Sequence, residues 1–230
     1  MKKKFLVASA LLVGSVVGAP ALAAENPVDQ AGIQHNMYLG CLMDLNATAE
    51  DALTLLVKKC GYAPGVPLER FVATQQPIID AIDPTRPMTE NLPGLRQQLS
   101  AYEYSFIVRM DQIVQNAEDL DSAALQFEEL EREAIARLDP KSKNGALILG
   151  GMSVARHSTQ YWSKYAAESG DGVTAKGRFW KWLAVIAVDV LGYFASNENV
   201  GTSASASNQA HGAIFGTTTP TPTPTPNPQP

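Results

Sequence analysis

Gly151-Met152-Ser153-Val154-Ala155 has the form G-x-S-x-A, a variant of the nucleophile elbow in which a sharp strand-to-helix turn exposes a serine hydroxyl to a histidine base. Asp189 and His211 follow Ser153 in the serine–acid–histidine order of α/β-hydrolases. An elbow also needs a strand leading into it and a parallel sheet beneath, and the rest of the chain carries no strand pattern. Close helix packing through Gly150, Gly151 and Ser153 is therefore the expectation, and a serine hydrolase using Ser153 ranks third among the functional readings. No catalytic residue is assigned.

His35-Asn36 and Arg156-His157 are the polar pairs at which binding is expected. His35 and Cys41 lie six residues apart, so at ~100° per residue their side chains diverge around a helix. No E-x-x-H pair is present, which removes the ligand motif of a di-iron carboxylate bundle. His157 follows a cationic neighbour, a poor setting for a zinc ligand. The glutamates at 128, 129, 131 and 133 read as a solvated helix face, with Glu128–Arg132 and Glu133–Arg137 as i,i+4 surface pairs. Neither a metal nor a cofactor is expected.

Lys176-Gly177-Arg178-Phe179-Trp180-Lys181-Trp182 leads into an apolar run to Ala195. Arg178, Trp180, Lys181 and Trp182 are how an interfacial helix presents itself to lipid. The run holds ~14 apolar residues around Asp189, short of the ~20 that span a bilayer. The competing expectation is a central helix with its tryptophans in the core and its cations at the rim.

The elements that must position these residues follow from pattern and composition. The chain has 230 residues, 45% hydrophobic and 18% charged, enough for one folded domain. Lys2, Lys3 and Lys4, the apolar stretch Phe5–Val17 and Ala21-Leu22-Ala23 form a secretory signal peptide over 1–23. Its loss takes the formal charge from −5 to −8. An acidic chain does not suit a nucleic-acid partner. Export would place Cys41 and Cys60 where a lone pair forms a bridge. On two straight helices joined at Asn46-Ala47-Thr48, however, they would lie about 7 and 18 Å from the turn. A bridge thus predicts an irregular course over 41–47.

Asn26-Pro27 predicts a helix start, with Ile33, Met37, Tyr38 and Leu42 facing inward. Leu95, Leu99, Tyr102, Phe106, Met110, Ile113 and Ala117 recur at helical spacing, as do Leu120, Ala124, Phe127, Leu130, Ala134 and Leu138. Ile148, Met152, Ala155, Thr159, Trp162 and Ala166 make a third stripe. The fold class is all-α: a bundle-like single domain over 24–196, with core helices at 94–117, 121–138, 145–168 and 178–196. Residues 197–216, rich in Ser, Ala, Asn and Gly, are expected to hold little order. The Thr-Pro repeat over 217–230 is expected to be a disordered polyproline II tail.

Asn26-Pro27-Val28-Asp29, with Gly32-Ile33-Gln34-His35-Asn36, resembles the mature N-terminus of a group of uncharacterised exported bacterial proteins. Ala155-Arg156-His157-Ser158 with Tyr161-Trp162 resembles their second half, and Asp189-Val190-Leu191-Gly192 the segment after it. The resemblance implies export from a bacterium and no particular activity. The chain is therefore read first as a secreted or periplasmic helical protein that binds another protein or an envelope component. The alternative is a membrane-active, bacteriocin-like protein using the helix at 178–195.

Overall fold

The computed structural model describes residues 25–169 and 176–216, of which 176–178 are described as backbone alone. The signal peptide and the Thr-Pro tail expected from the sequence, and the side chain of Arg178, lie outside the described residues. Ten α-helices follow one another in that part, with no strand: α1 Gln30–Asp44, α2 Ala52–Lys58, α3 Leu68–Asp80, α4 Met88–Asn91, α5 Pro93–Gln98, α6 Ala101–Asn116, α7 Leu120–Arg137, α8 Lys143–Glu168, α9 Lys176–Ala195 and α10 Val200–Phe215. The chain is all-α.

Polar caps set several of the boundaries. Ser100 and Glu103 form a reciprocal capping box at the start of α6, and Asp119 with Ser122 does the same for α7. The Ser142 hydroxyl accepts from the Gly145 amide to open α8. The Ser100 box explains why the stripe from Leu95 to Ala117 is two helices. Leu99 is extended between them, and Tyr102, expected inward, faces solvent just beyond the break.

Helix α9 is the centre of the molecule. Phe179, Trp182, Leu183, Ile186, Val190 and Leu191 are buried, and α8 and α10 pack along it. Small residues govern how close the helices come. A Cβ on Gly150 would collide with the Tyr193 ring, and one on Gly151 with the Phe194 ring, so only glycine lets α8 lie against α9 here. This is the close packing through Gly150 and Gly151 expected from the sequence.

Residues 200–215 form a buried helix, correcting the expectation of low order over 197–216. Ser203, Ala204, Ser205, Ala206 and Ser207 are all buried. Their composition is weak in helix propensity, but the small side chains let α10 pack tightly on α9, where Gly192 abuts Ser203 and Ala206. Tertiary packing overrides propensity.

Helix α1 also buries a different face from the one expected. Ala31, Gly32, His35, Leu39 and Leu42 are inside, whereas Ile33 and Met37 are exposed. The cause is Gly32, where a Cβ would meet the Ser153 backbone and the His157 ring. The closest approach to α8 runs through the smallest residue, and this turns the larger apolar ones outward.

Cys41 and Cys60 are bridged, with Cα atoms 5.8 Å apart. The irregular chain that permits this is 45–51 rather than 41–47. Cys41 stays within α1, Asn46 reverses the chain in the left-handed region at φ 51°, and α2 starts only at Ala52. Cys60 then lies two residues past the end of a seven-residue helix, close enough to close the bond. The bridge is consistent with an oxidising compartment.

Candidate functional site

Two polar regions meet along α8. The first joins the segment before α1 to the middle of α8. Asn26 opens it. Its side-chain Oδ1 accepts from the Val28 amide at 2.9 Å, while its side-chain Nδ2 donates to Glu131 (2.7 Å) and to the Leu149 carbonyl (2.9 Å). Arg156 is held between two carboxylates, with Nε 2.6 Å from Glu131 and its other arm on Asp29. His157 Nε2 lies 3.0 Å from the same Asp29 oxygen. The Ser153 hydroxyl donates to Asp29 and accepts from the Gly32 amide at 3.0 Å. Asn36 donates to the His157 carbonyl at 2.8 Å, and His35 Nδ1 lies 3.0 Å from Asn36 Oδ1.

All four expected binding residues, His35, Asn36, Arg156 and His157, therefore fall in one network. Their polar atoms are turned toward the protein itself. Burial pulls the Asp29 carboxyl up, but the His157 hydrogen bond, the Arg156 charge and Ser153 together outweigh it and hold the group below its usual range. Glu131 corrects one expectation: it is buried rather than part of a solvated face. Its spacing carried the signal, since 131 lies four residues after Phe127 and three before Ala134, both inward. Glu133 pairs with Arg109 of α6 at 2.7 Å, in place of the expected Arg137.

Ser153 sits in mid-helix, fully buried, without the strand that an elbow requires. The carboxylate it touches is Asp29, not Asp189. Asp189 accepts instead from the Ser158 hydroxyl and from Trp162 Nε1 at 3.1 Å, while its backbone carbonyl accepts from Ser203. It is fully buried, and burial pushes its carboxyl up despite the opposing His35, Ser158, Ser207 and Trp162. This is the core of a second polar region, between α1, α8, α9 and α10. Among the described residues its polar atoms are incompletely paired: His35 Nε2, Asp189 Oδ1, Ser205 Oγ and Asn208 Oδ1 have no hydrogen-bond partner.

The second region leads outward through an aromatic stack. The Trp162 indole lies 5.0 Å from the His211 ring at 9°, and Tyr165 meets His211 edge-on at 5.4 Å. Tyr165, His211 and Asn208 then form part of a groove of about 770 Å³ at the C-terminal ends of α1, α8 and α10. Its outer wall is Met43, Asp44, Asn46 and Thr48, braced by the disulfide, and its opposite rim carries Lys164 and Glu168. Tyr161 and Tyr165, one turn apart on α8, supply the aromatic floor, their rings 6.4 Å apart and 17° from parallel. The groove could not be read from sequence, because its third wall is the helix expected to lack order.

The tryptophans of α9 divide. Trp182 is buried against Trp162 and Phe215, whereas Trp180 is 43% exposed. Lys181 donates to the Ile214 carbonyl at 3.3 Å and lies over the Phe215 ring. Among the described residues no helix is long and apolar enough to cross a membrane, and no three His, Cys, Asp or Glu side chains are placed to hold a metal ion.

Compared with known proteins, the chain matches no family model, no curated protein and no solved structure.

Proposed function

We propose that this is an exported bacterial binding protein that engages another protein or an envelope component through the groove between α1, α8 and α10. The observation that carries the reading is the groove: about 770 Å³, within the ~300–1,000 Å³ range of ligand pockets, with aromatic walls and a polar rim. The leader-like segment at 1–23 and the Cys41–Cys60 bridge support action outside the cytoplasm. His35, Asn36, Arg156 and His157 serve this function as the frame that fixes α1 against α8, not as ligand contacts. The competing readings each require the fold to give something up. A lipid-inserting α9 would have to leave α8 and α10, and a nucleophilic Ser153 would have to release Asp29 and Gly32.

The test is a photo-crosslinking residue in place of Lys164, on the groove rim, and separately in place of Leu125, an exposed position on α7. In the exporting cell, the Lys164 position should give a discrete adduct and the Leu125 position none. Equal yields at both, or none at Lys164, would contradict the reading.

A further inference from the structure

We infer that the groove takes a cationic side chain, lysine or arginine, presented by a partner protein. This assignment rests on the binding reading above and gives it a ligand class. The hydrogen-bonding character of the walls favours a ligand that donates. Asp44 and Glu168 bring carboxylates, Asn46 and Thr48 bring further oxygens, and Asn208 at the inner wall has a carbonyl oxygen with no partner. The amide nitrogen of Asn208 has only the Met43 thioether, at 3.5 Å, as a poor acceptor. Such a lining asks for donors. Lys164, the one lysine or arginine among the described lining residues, already stands 3.8 Å from Glu168.

The aromatic floor suits a cation as well. Tyr161 and Tyr165 are partly buried, with parallel faces on which an ammonium or guanidinium can lie. The aliphatic stem of such a side chain would run along Met43 and Ala47, leaving its charge near Asp44 and Glu168. The field has the right sign. The Tyr161 hydroxyl is pushed up by burial first, and then by Tyr165, Asp44 and Asp189, so the negative charge of Asp44 is felt at the ring. At longer range the chain's formal charge of −5 favours the approach of a cationic partner. A phosphate or carboxylate ligand would meet the Asp44 and Glu168 carboxylates, with the one lining lysine, Lys164, already paired to Glu168.

The experiment is calorimetric titration of the purified full chain, at low salt, with the peptide Gly-Gly-Lys-Gly-Gly. Its Nε-acetyl-lysine counterpart and the trimer of N-acetylglucosamine are titrated in parallel. The lysine peptide should bind at least tenfold more tightly than the acetylated one, and weaken as salt is raised. Replacing Asp44→Asn together with Glu168→Gln, both exposed and neither part of the frame, should weaken binding of the lysine peptide three- to tenfold. Equal binding of the two peptides, binding of the sugar alone, or an unchanged affinity in the double variant would overturn the cationic assignment while leaving a binding protein in place. Binding of no probe by a folded chain would overturn the groove reading as well.

Discussion

The polar network around Asp29 and the polar region around Asp189 both border helix α8, and they differ in how their hydrogen bonds close. At Asp29 each ionised group meets an opposite charge or a donor: Arg156 bridges two carboxylates, and Ser153 links Asp29 to the Gly32 amide. Around Asp189 the groups are more deeply buried, yet His35 Nε2, Asp189 Oδ1 and Asn208 Oδ1 are left over. A buried polar group without a partner costs free energy that a paired one does not. The paired network thus does the work of architecture, fixing the angle and register of α1 on α8. The unpaired region borders the groove through His211 and Asn208, and of the three atoms only Asn208 Oδ1 belongs to a groove-lining residue that a ligand can serve. Position on the chain is no guide to role, because residues 153, 156 and 157 belong to the first region and 158, 161 and 162 to the second or to the groove beside it.

Substitutions can separate the two regions. The largest effect is expected from packing: Trp182→Ala should cost about 3–5 kcal/mol in denaturant unfolding, against about 0.5 kcal/mol or less for Trp180→Ala, because only the first empties the core. Next comes the paired network. Arg156→Met leaves buried Glu131 and half-buried Asp29 without their cation and should cost about 2–3 kcal/mol in the same measurement. In the unpaired region Asn208→Leu removes a carbonyl that bonds nothing, and its stability should stay within about 1 kcal/mol of the parent. A loss as large as that of Arg156→Met would erase the contrast between the regions.

The two aspartates should also give opposite pH dependences. The Asp29 carboxyl is lowered from 3.8, so its stabilisation is present above that value and disappears as pH falls through the lower folded value. The Asp189 carboxyl is raised from 3.8, so its contribution is complete below that value and is lost as pH rises through the higher folded value. Unfolding midpoints measured from about pH 2 to 8 should show a shallower acid-side decline in Asp29→Asn, the lowered Glu50, Asp83, Glu103 and Glu133 carboxyls supplying the rest, and should lose the decline with rising pH in Asp189→Asn. Two variants with the same profile would mean that the carboxylates share one environment.

Much of the frame was legible in the sequence, and the reasons it was not complete are local. Leu120, Phe127, Leu130 and Ala134 announced α7, and Ile148, Met152, Ala155 and Trp162 announced α8, because apolar residues at helical spacing need a core on one side. The same rule failed on α1. There glycine and histidine, which carry little weight in a hydrophobic pattern, line the buried face. It failed again on α10, where the packing surface is made of serine and alanine and the pattern has no large residue to register. His35, Asn36, Arg156 and His157 stood out by residue type, and they do converge. What residue type could not reveal is that their bonding is directed inward, since the partners Asp29, Glu131 and Asn26 come from distant segments. The groove needed all three of its helices in place before it existed.

The division of roles between frame and groove is tested by the affinity of the lysine peptide for two variants, measured where both are folded: Arg156→Met in the paired network, and Asp44→Asn on the groove. That division predicts parent-like affinity for Arg156→Met and a loss of about threefold or more for Asp44→Asn, since a single exposed charge in high dielectric acts modestly. Parent-like binding by Asp44→Asn, with binding abolished in folded Arg156→Met, would contradict it and place the ligand at the junction of α1 and α8.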